Sequence, residues 1–374
     1  MFRTAVCSLI LVTATASAEI DKTKLDKIDD AVKSAIDKAE IPGAVVVVVH
    51  RDVVVFRKAY GSRAKKPAEE AMTLDTIFDL ASLTKPIATA TAIFKLVETG
   101  KLKLSDKVSL HWPEFGANDK DTVTVGQCLL HTSGLIADNA LADYKGDRAA
   151  AMKAIAGLKL QSPAGTKFQY SDVGFIVLGE IVERTAKVPL DEVTSKEIFT
   201  PLGMAETSFK PSQKLKPRIA PTGLRNKETI RGDVHDPRAF AMGGVAGHAG
   251  LFGTADDLAI FARMLLNEGK HNGQVILKPE TVKLLTEKVE VTKGVFRSRG
   301  WDVDTAYSAP RGDLFPKGDG FGHTGFTGTS IWIDPPSRTA IIILTNRVHP
   351  DDKGNATPLR KAIGTFVAGA LKKE

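Results

Sequence analysis

Two pairs of β-branched runs, one near each end of the chain, restrict its fold more than any other feature. Ala44 to Val49 and Val53 to Tyr60 flank the polar turn His50-Arg51-Asp52. Thr329 to Ile333 and Thr339 to Leu344 flank Asp334-Pro335-Pro336-Ser337. Each pair has the composition and spacing of an antiparallel hairpin. Between them the signals are mostly helical, with Pro- and Gly-rich connectors. Leu25, Ile28, Val32 and Ile36 recur at helical spacing through Leu25 to Ala39. Further helices are expected from Ser82 to Gly100, and over Gln127 to Leu130, Ala149 to Leu158, Gly174 to Thr185 and Thr254 to Leu266. Leu359 to Leu371 is a closing helix. The economical architecture is α+β: an antiparallel sheet from both chain termini, flanked by helices, with an inserted mainly helical domain. Its sheet part is expected at about 19–75 and 290–374, and its helical part at about 76–289. At 374 residues and 43% hydrophobic, the chain has ample apolar material for such a core.

The first residues predict export. Arg3 supplies a short positive region, Val6 to Thr15 is mostly apolar, and Ala16-Ser17-Ala18 fits a small-residue cleavage site. Residues 1–18 are therefore expected to leave as a signal peptide, giving a periplasmic or secreted protein. The apolar run is short for a membrane anchor, and no later run is long and apolar enough to span a bilayer. Cys7 would leave with the signal, and Cys128 then remains alone in an apolar, helix-like run, where a buried small hydrophobe is expected. The net charge of +7 becomes +6 without Arg3, with lysines and arginines scattered among acids. That pattern argues against a nucleic-acid partner and is compatible with weak attraction to an anionic cell envelope.

Three short stretches carry the chemistry. Ser82-Leu83-Thr84-Lys85 opens a helix signal, so Lys85 can reach back toward the Ser82 hydroxyl. A serine hydroxyl needs such a neighbour to become a nucleophile. A helix N-terminus also offers free N–H groups to a developing negative charge. The plainer alternative is a capping serine and a solvated lysine. Tyr170-Ser171-Asp172 lies on a loop just before a helix, where a tyrosine among cations can move protons. His323-Thr324-Gly325 lies just before or within a C-terminal strand, and glycine there often marks close approach of backbone to a ligand. His235, Asp236 and His248 could ligate zinc in principle, but their spacing matches no standard site. The loop that carries them, with its run Gly243 to Gly250, is expected to line the substrate cleft.

Together the three stretches resemble the penicillin-recognising serine hydrolases: class C β-lactamases, DD-carboxypeptidases and related esterases. That family shows Ser-x-x-Lys, Tyr-x-Asn and Lys-Thr-Gly in the same order. Leu130 to Leu135, the approach Pro163/Gly165 to the tyrosine, and Gly243 to Asp257 are also similar to it. The resemblance implies that Ser82 is acylated, with Lys85 organising the charge. It further implies that Tyr170 shuttles protons and that the backbone N–H groups of Ser82 and Phe326 form an oxyanion hole. Asp172, His323, Thr324, Gly325 and His248 would contact substrate, and no metal or organic cofactor is required. Two positions depart from the family pattern. Asp172 replaces the usual Asn, so it cannot donate an amide hydrogen bond. His323 replaces the usual Lys and is largely neutral at pH 7 if unperturbed. Both changes favour a carboxypeptidase or esterase over a dedicated β-lactamase. The expected substrates are D-alanyl cell-wall peptides, β-lactams or related amides and esters. The alternatives are a small-ester carboxylesterase of the same fold, or a non-catalytic protein that binds cell-wall peptides.

Overall fold

The computed structural model of the chain describes residues 20–372. The expected signal peptide, with Arg3, Cys7 and the cut after Ala18, lies outside the described residues. One nine-stranded antiparallel sheet dominates the fold. Across the sheet its strands run Val289–Thr292, Val295–Arg297, Asp302–Asp304, Phe321–Thr324, Ser330–Asp334, Thr339–Thr345, Gly43–His50, Val53–Ala64 and Glu70–Ala71. The two ends of the chain meet at its centre, where Val45 pairs with Leu344 and Val47 with Ile342. Both expected hairpins are present. The first turns at Arg51 and Asp52, both at positive φ (48° and 67°), the geometry that suits strands of right-handed twist.

Strand Gly43–His50 is buried along its whole length because helices cover both faces of the sheet. Alternation then divides its side chains between two cores. Ala44, Val46 and Val48 pack with Ile28 and Val32 of helix Lys27–Asp37 and with Ile363 and Val367 of helix Thr357–Ala370. Val45, Val47 and Val49 face the larger core, which contains Leu258 and Phe261 of helix Ala255–Leu266. From Phe78 to Thr286 the elements are mainly helices and short turns.

Two local readings need correction. Strands do not resume at Thr329: four earlier ones, from Val289 to Thr324, extend the sheet. They are three or four residues long and carry Glu290, Arg297, Asp302 and His323. Backbone pairing therefore defines them, without the apolar alternation that a sequence reading seeks. The helix expected from Ser82 to Gly100 is not uniform either. Ala81–Leu83 is a 3₁₀ turn, Lys85–Ala90 a π-helical stretch, and Thr91–Glu98 a regular α-helix. Pro86, which lacks an N–H, sits where the geometry changes, and the Thr91 hydroxyl donates to its carbonyl at 2.9 Å.

Candidate active site

Ser82 enters the site on a tight approach. Strand Phe78–Asp79 pairs with Leu251–Gly253, and the Leu80 N–H continues the attachment to the Leu251 carbonyl at 2.9 Å. Ala81 then takes φ 47°, a region uncommon for a residue with a Cβ, before the 3₁₀ turn presents Ser82. Lys85 opens the π-helical stretch that follows, and its Nζ donates back to Ser82 Oγ at 3.1 Å.

Lys85 is fully buried among oxygens. Besides Ser82 it donates to the His248 carbonyl at 3.1 Å. Its nitrogen also lies 2.6 Å from Asp172 Oδ1, as an ion pair rather than an aligned hydrogen bond. Burial alone would push the lysine pKa down, but the Asp172 carboxylate and Tyr170 more than offset it and hold the ammonium well above the usual lysine range. The departure from asparagine thus places a counter-charge on Lys85.

Tyr170 is set by its neighbours on both sides. Ser171 caps helix Asp172–Ala186, accepting from the Gly174 N–H at 3.0 Å and donating to the Ile136 carbonyl at 2.6 Å. The Ser171 N–H donates to His131 Nδ1 at 3.0 Å, and the His131 ring stacks on Tyr170 at 4.5 Å between centroids. Because Nδ1 accepts, the His131 proton resides on Nε2; burial first, then Arg297 and Lys85, push its pKa well down. Tyr170 lines the same cleft as Ser82, with Lys85 Nζ 5.0 Å from the centre of its ring, and burial outweighs the Lys85 charge so that the phenol pKa is raised. Tyr170 is therefore a neutral phenol beside a charged lysine.

His323 and Thr324 end strand Phe321–Thr324, and Gly325 opens a turn closed by the Gly328 N–H on the Gly325 carbonyl at 3.1 Å. Gly325 is required there: a Cβ would lie 2.1 Å from Thr329 Oγ1 and 2.6 Å from the Leu80 carbonyl. Phe326 is the next residue of that turn, and its 56%-exposed ring forms part of the cleft rim. His323 Nδ1 lies 2.9 Å from the Thr324 carbonyl and so carries the proton. Burial, reinforced by Arg297, pushes its pKa well below the usual value, leaving a neutral ring where the family pattern has a cation. Pairing with Asp302–Asp304 stops at Gly322, opposite Asp302. Among the described residues no strand pairs with His323 and Thr324 on that side.

A cleft of about 370 Å³ joins these parts, lined among others by Ser82, Tyr170, Arg297, Tyr307, His323 and Phe326. Arg297 and His131 carry no role in the sequence reading. Arg297 is fully buried, with one nitrogen 3.2 Å from Asp302 and its guanidinium 5.9 Å from the centre of the Tyr170 ring. A lone arginine in a three-residue strand gives no signal of this. His131 lies in the family-like stretch Leu130 to Leu135, which was the available clue. His248 is buried, with Nε2 3.0 Å from Asp236 Oδ1; its carbonyl, rather than its ring, touches Lys85. Asp172, Asp236 and His248 bring ligand atoms within 4.8 Å of one another. Lys85 already occupies the Asp172 side and His248 the Asp236 side, so the donor set does not favour a cation. His235, the remaining residue weighed for zinc, stacks on Phe326 at 5.6 Å instead.

Comparison with known proteins shows the family and the fold. The Beta-lactamase family model matches residues 28–365. An N-acetylmuramyl-L-alanine amidase of Bacillus subtilis (strain 168) is 34% identical over 89% of this chain and 83% of its own length. An Escherichia coli (strain K12) protein named "Putative D-alanyl-D-alanine carboxypeptidase" is 33% identical over 87% and 83%. Among solved structures, a class C beta-lactamase superposes with TM-score 0.76 at 21% identity, covering 95% of this chain and 98% of that one. EstCE1, a hydrolase with promiscuous acyltransferase activity, does so with TM-score 0.75 at 24%, covering 93% and 99%. These structures share the fold, with its large antiparallel sheet flanked by helices. The chain belongs to the beta-lactamase family and is a serine hydrolase of that type.

Proposed function

We propose that the protein is an exported hydrolase that cleaves amide bonds of cell-wall peptides through an acyl ester on Ser82. The observation that carries this reading is the contact of Lys85 Nζ with Ser82 Oγ at 3.1 Å, beside the neutral Tyr170 hydroxyl. Ser82 Oγ attacks the scissile carbonyl carbon while its proton passes to Tyr170 Oη. Tyr170 hands its own proton to the leaving nitrogen, and the C–N bond breaks. The Lys85 ammonium stabilises the developing alkoxide, and the backbone N–H groups of Ser82 and Phe326 receive the carbonyl oxygen. In deacylation, water repeats the attack, and its proton returns through Tyr170 to Ser82.

The free side of His323 and Thr324 supports an extended, peptide-like substrate, which can add to a strand edge by main-chain hydrogen bonds. The names of the amidase and carboxypeptidase relatives point to wall peptides as well. A neutral His323 and a lysine-bound Asp172 both weaken the case for a dedicated β-lactamase.

Intact mass after incubation with a fluorophosphonate and, separately, a penicillin tests the nucleophile. The expected result is an adduct on the wild type with the fluorophosphonate and none on Ser82→Ala. An adduct that survives Ser82→Ala would overturn the reading. Product analysis on a D-alanyl-D-alanine peptide and on an N-acetylmuramyl-L-alanine amide then assigns the scissile bond. Turnover of simple esters with neither peptide cleaved would favour a small-ester carboxylesterase. Export predicts that protein recovered outside the cytoplasm begins at Glu19.

A further inference from the structure

Three residues before Ser82 lies a carboxylate that the mechanism does not use. Asp79 is 2% exposed. Its Oδ1 accepts the Ala81 N–H at 2.9 Å, the residue held at positive φ immediately before the nucleophile. Its Oδ2 accepts the His235 N–H at 2.6 Å, and the His235 ring stacks on Phe326. Its backbone carbonyl accepts from the Thr327 hydroxyl at 2.7 Å, and the next carbonyl, that of Leu80, from the Thr329 hydroxyl at 3.0 Å. Asp79 thus holds the chain entering Ser82, the turn carrying Phe326, and the backbone of the ring packed on Phe326. Those are the two halves of the proposed oxyanion hole.

A doubly accepting carboxylate has no substitute in this geometry. Both partners are N–H donors, so a protonated carboxyl or an amide presents a hydrogen to one of them and loses that bond. From the elements packed around it, Arg225, His235 and Asp236 face the group. Burial pushes its pKa up to about 6, Asp236 adds to that, and the two N–H bonds and Arg225 oppose it.

We propose that Asp79 is a positioning residue that, through its ionised carboxylate and its carbonyl, sets the spacing between the backbone N–H groups of Ser82 and Phe326. The inference rests on the proposed role of Ser82 and Phe326. It makes turnover, rather than substrate affinity, depend on this carboxylate.

The test compares the wild type, Asp79→Asn and Thr327→Val for fluorophosphonate labelling rate and for steady-state ester hydrolysis from pH 4.5 to 8. Losing one oxyanion contact lowers kcat by about 10²–10³-fold, and Asp79→Asn is expected to approach the lower figure with KM little changed. The wild-type kcat should fall below about pH 6, and this acid limb should be absent from Asp79→Asn. Wild-type kcat in Asp79→Asn, or an acid limb unchanged in position, would overturn the proposal. Should Asp79→Asn not fold, Thr327→Val decides: it removes only the hydroxyl donor to the Asp79 carbonyl and should lower kcat without raising KM. An unaltered kcat in that variant is the opposing result. Failure of wild-type labelling at Ser82 would instead sink the acyl-enzyme reading, whereas equal labelling of all three proteins would sink only the role of Asp79.

Discussion

The residue with the largest consequence for the chemistry of Lys85 is Asp172. Its carboxylate lies 2.6 Å from a lysine that is otherwise fully buried, and it sustains the ammonium against burial. Asp172→Asn removes that charge while keeping the shape of the family residue. The Lys85 pKa should fall, so the alkaline loss of kcat should begin at lower pH than in the wild type. The sign for stability follows from the same shift: a lysine pKa raised on folding stabilises fully below the ordinary lysine range and is lost as pH rises through the raised value. Below that range the variant should be less stable, by less than the roughly 3–5 kcal/mol of breaking a fully buried ion pair, because Asp172 is partly exposed. A pH–kcat profile to pH 10.5 and denaturant melts at pH 7 check both. An alkaline limb that does not move would show that Asp172 does not control the lysine. Ser82, Lys85 and Tyr170 were legible in the sequence because short fixed spacings mark them. Asp79 and Arg297 were not, since each acts on a partner that only the fold brings near, His235 for Asp79 and Tyr170 for Arg297; His131 was marked only as part of the family-like stretch Leu130 to Leu135.

At the scale of elements, the site depends on two backbones approaching more closely than side chains allow. The turn after strand Phe321–Thr324 lies against Leu80, and Gly325 is the point of contact. Gly325→Ala would place a methyl against Thr329 Oγ1 and a main-chain carbonyl, so the turn must shift. The expected result is a loss of about 1–3 kcal/mol from overpacking and a fall in kcat of about 10²-fold as Phe326 moves. Thermal melting and ester hydrolysis read the two effects separately, and a variant with normal turnover would mean that the turn can move without harm. The glycine was legible as a sign of close approach, but its neighbour was not. The long apolar helices were also legible, with Thr254 capping Ala255–Leu266 as its sequence suggests. The change from 3₁₀ to π to α around Lys85 was hidden, because Pro86 is equally compatible with an ordinary first turn. The short strands from Val289 onward were hidden too, being held by backbone pairing alone.

For the whole molecule, both ends of the chain build the sheet, and the C-terminal helix returns to the catalytic turn through one side chain. Arg360, on helix Thr357–Ala370, is 8% exposed, and one of its terminal nitrogens donates to the Gly325 carbonyl at 3.0 Å and the Thr329 carbonyl at 2.8 Å. Burial, with Arg347 close by, lowers its pKa to about 10, so the guanidinium remains charged at neutral pH. The paired apolar runs made the sheet legible from its two ends. This tie was not legible, because an arginine in a helix near the C-terminus reads as a solvated charge. Arg360→Met keeps the apolar stem but removes a charged donor shared by two carbonyls, each of which keeps one backbone N–H, and losing those charge-assisted bonds should cost about 1.5–3 kcal/mol. If the tie only adds stability, kcat at 20 °C should be retained while the melting temperature falls. If it also holds Phe326 in place, kcat should fall as well, and Arg360→Lys, which keeps a charged donor on a different stem, should recover part of both. We expect the second pattern, because the two carbonyls bracket the turn containing Phe326. A normal kcat in Arg360→Met would confine the influence of the C-terminal helix to the stability of the sheet it covers.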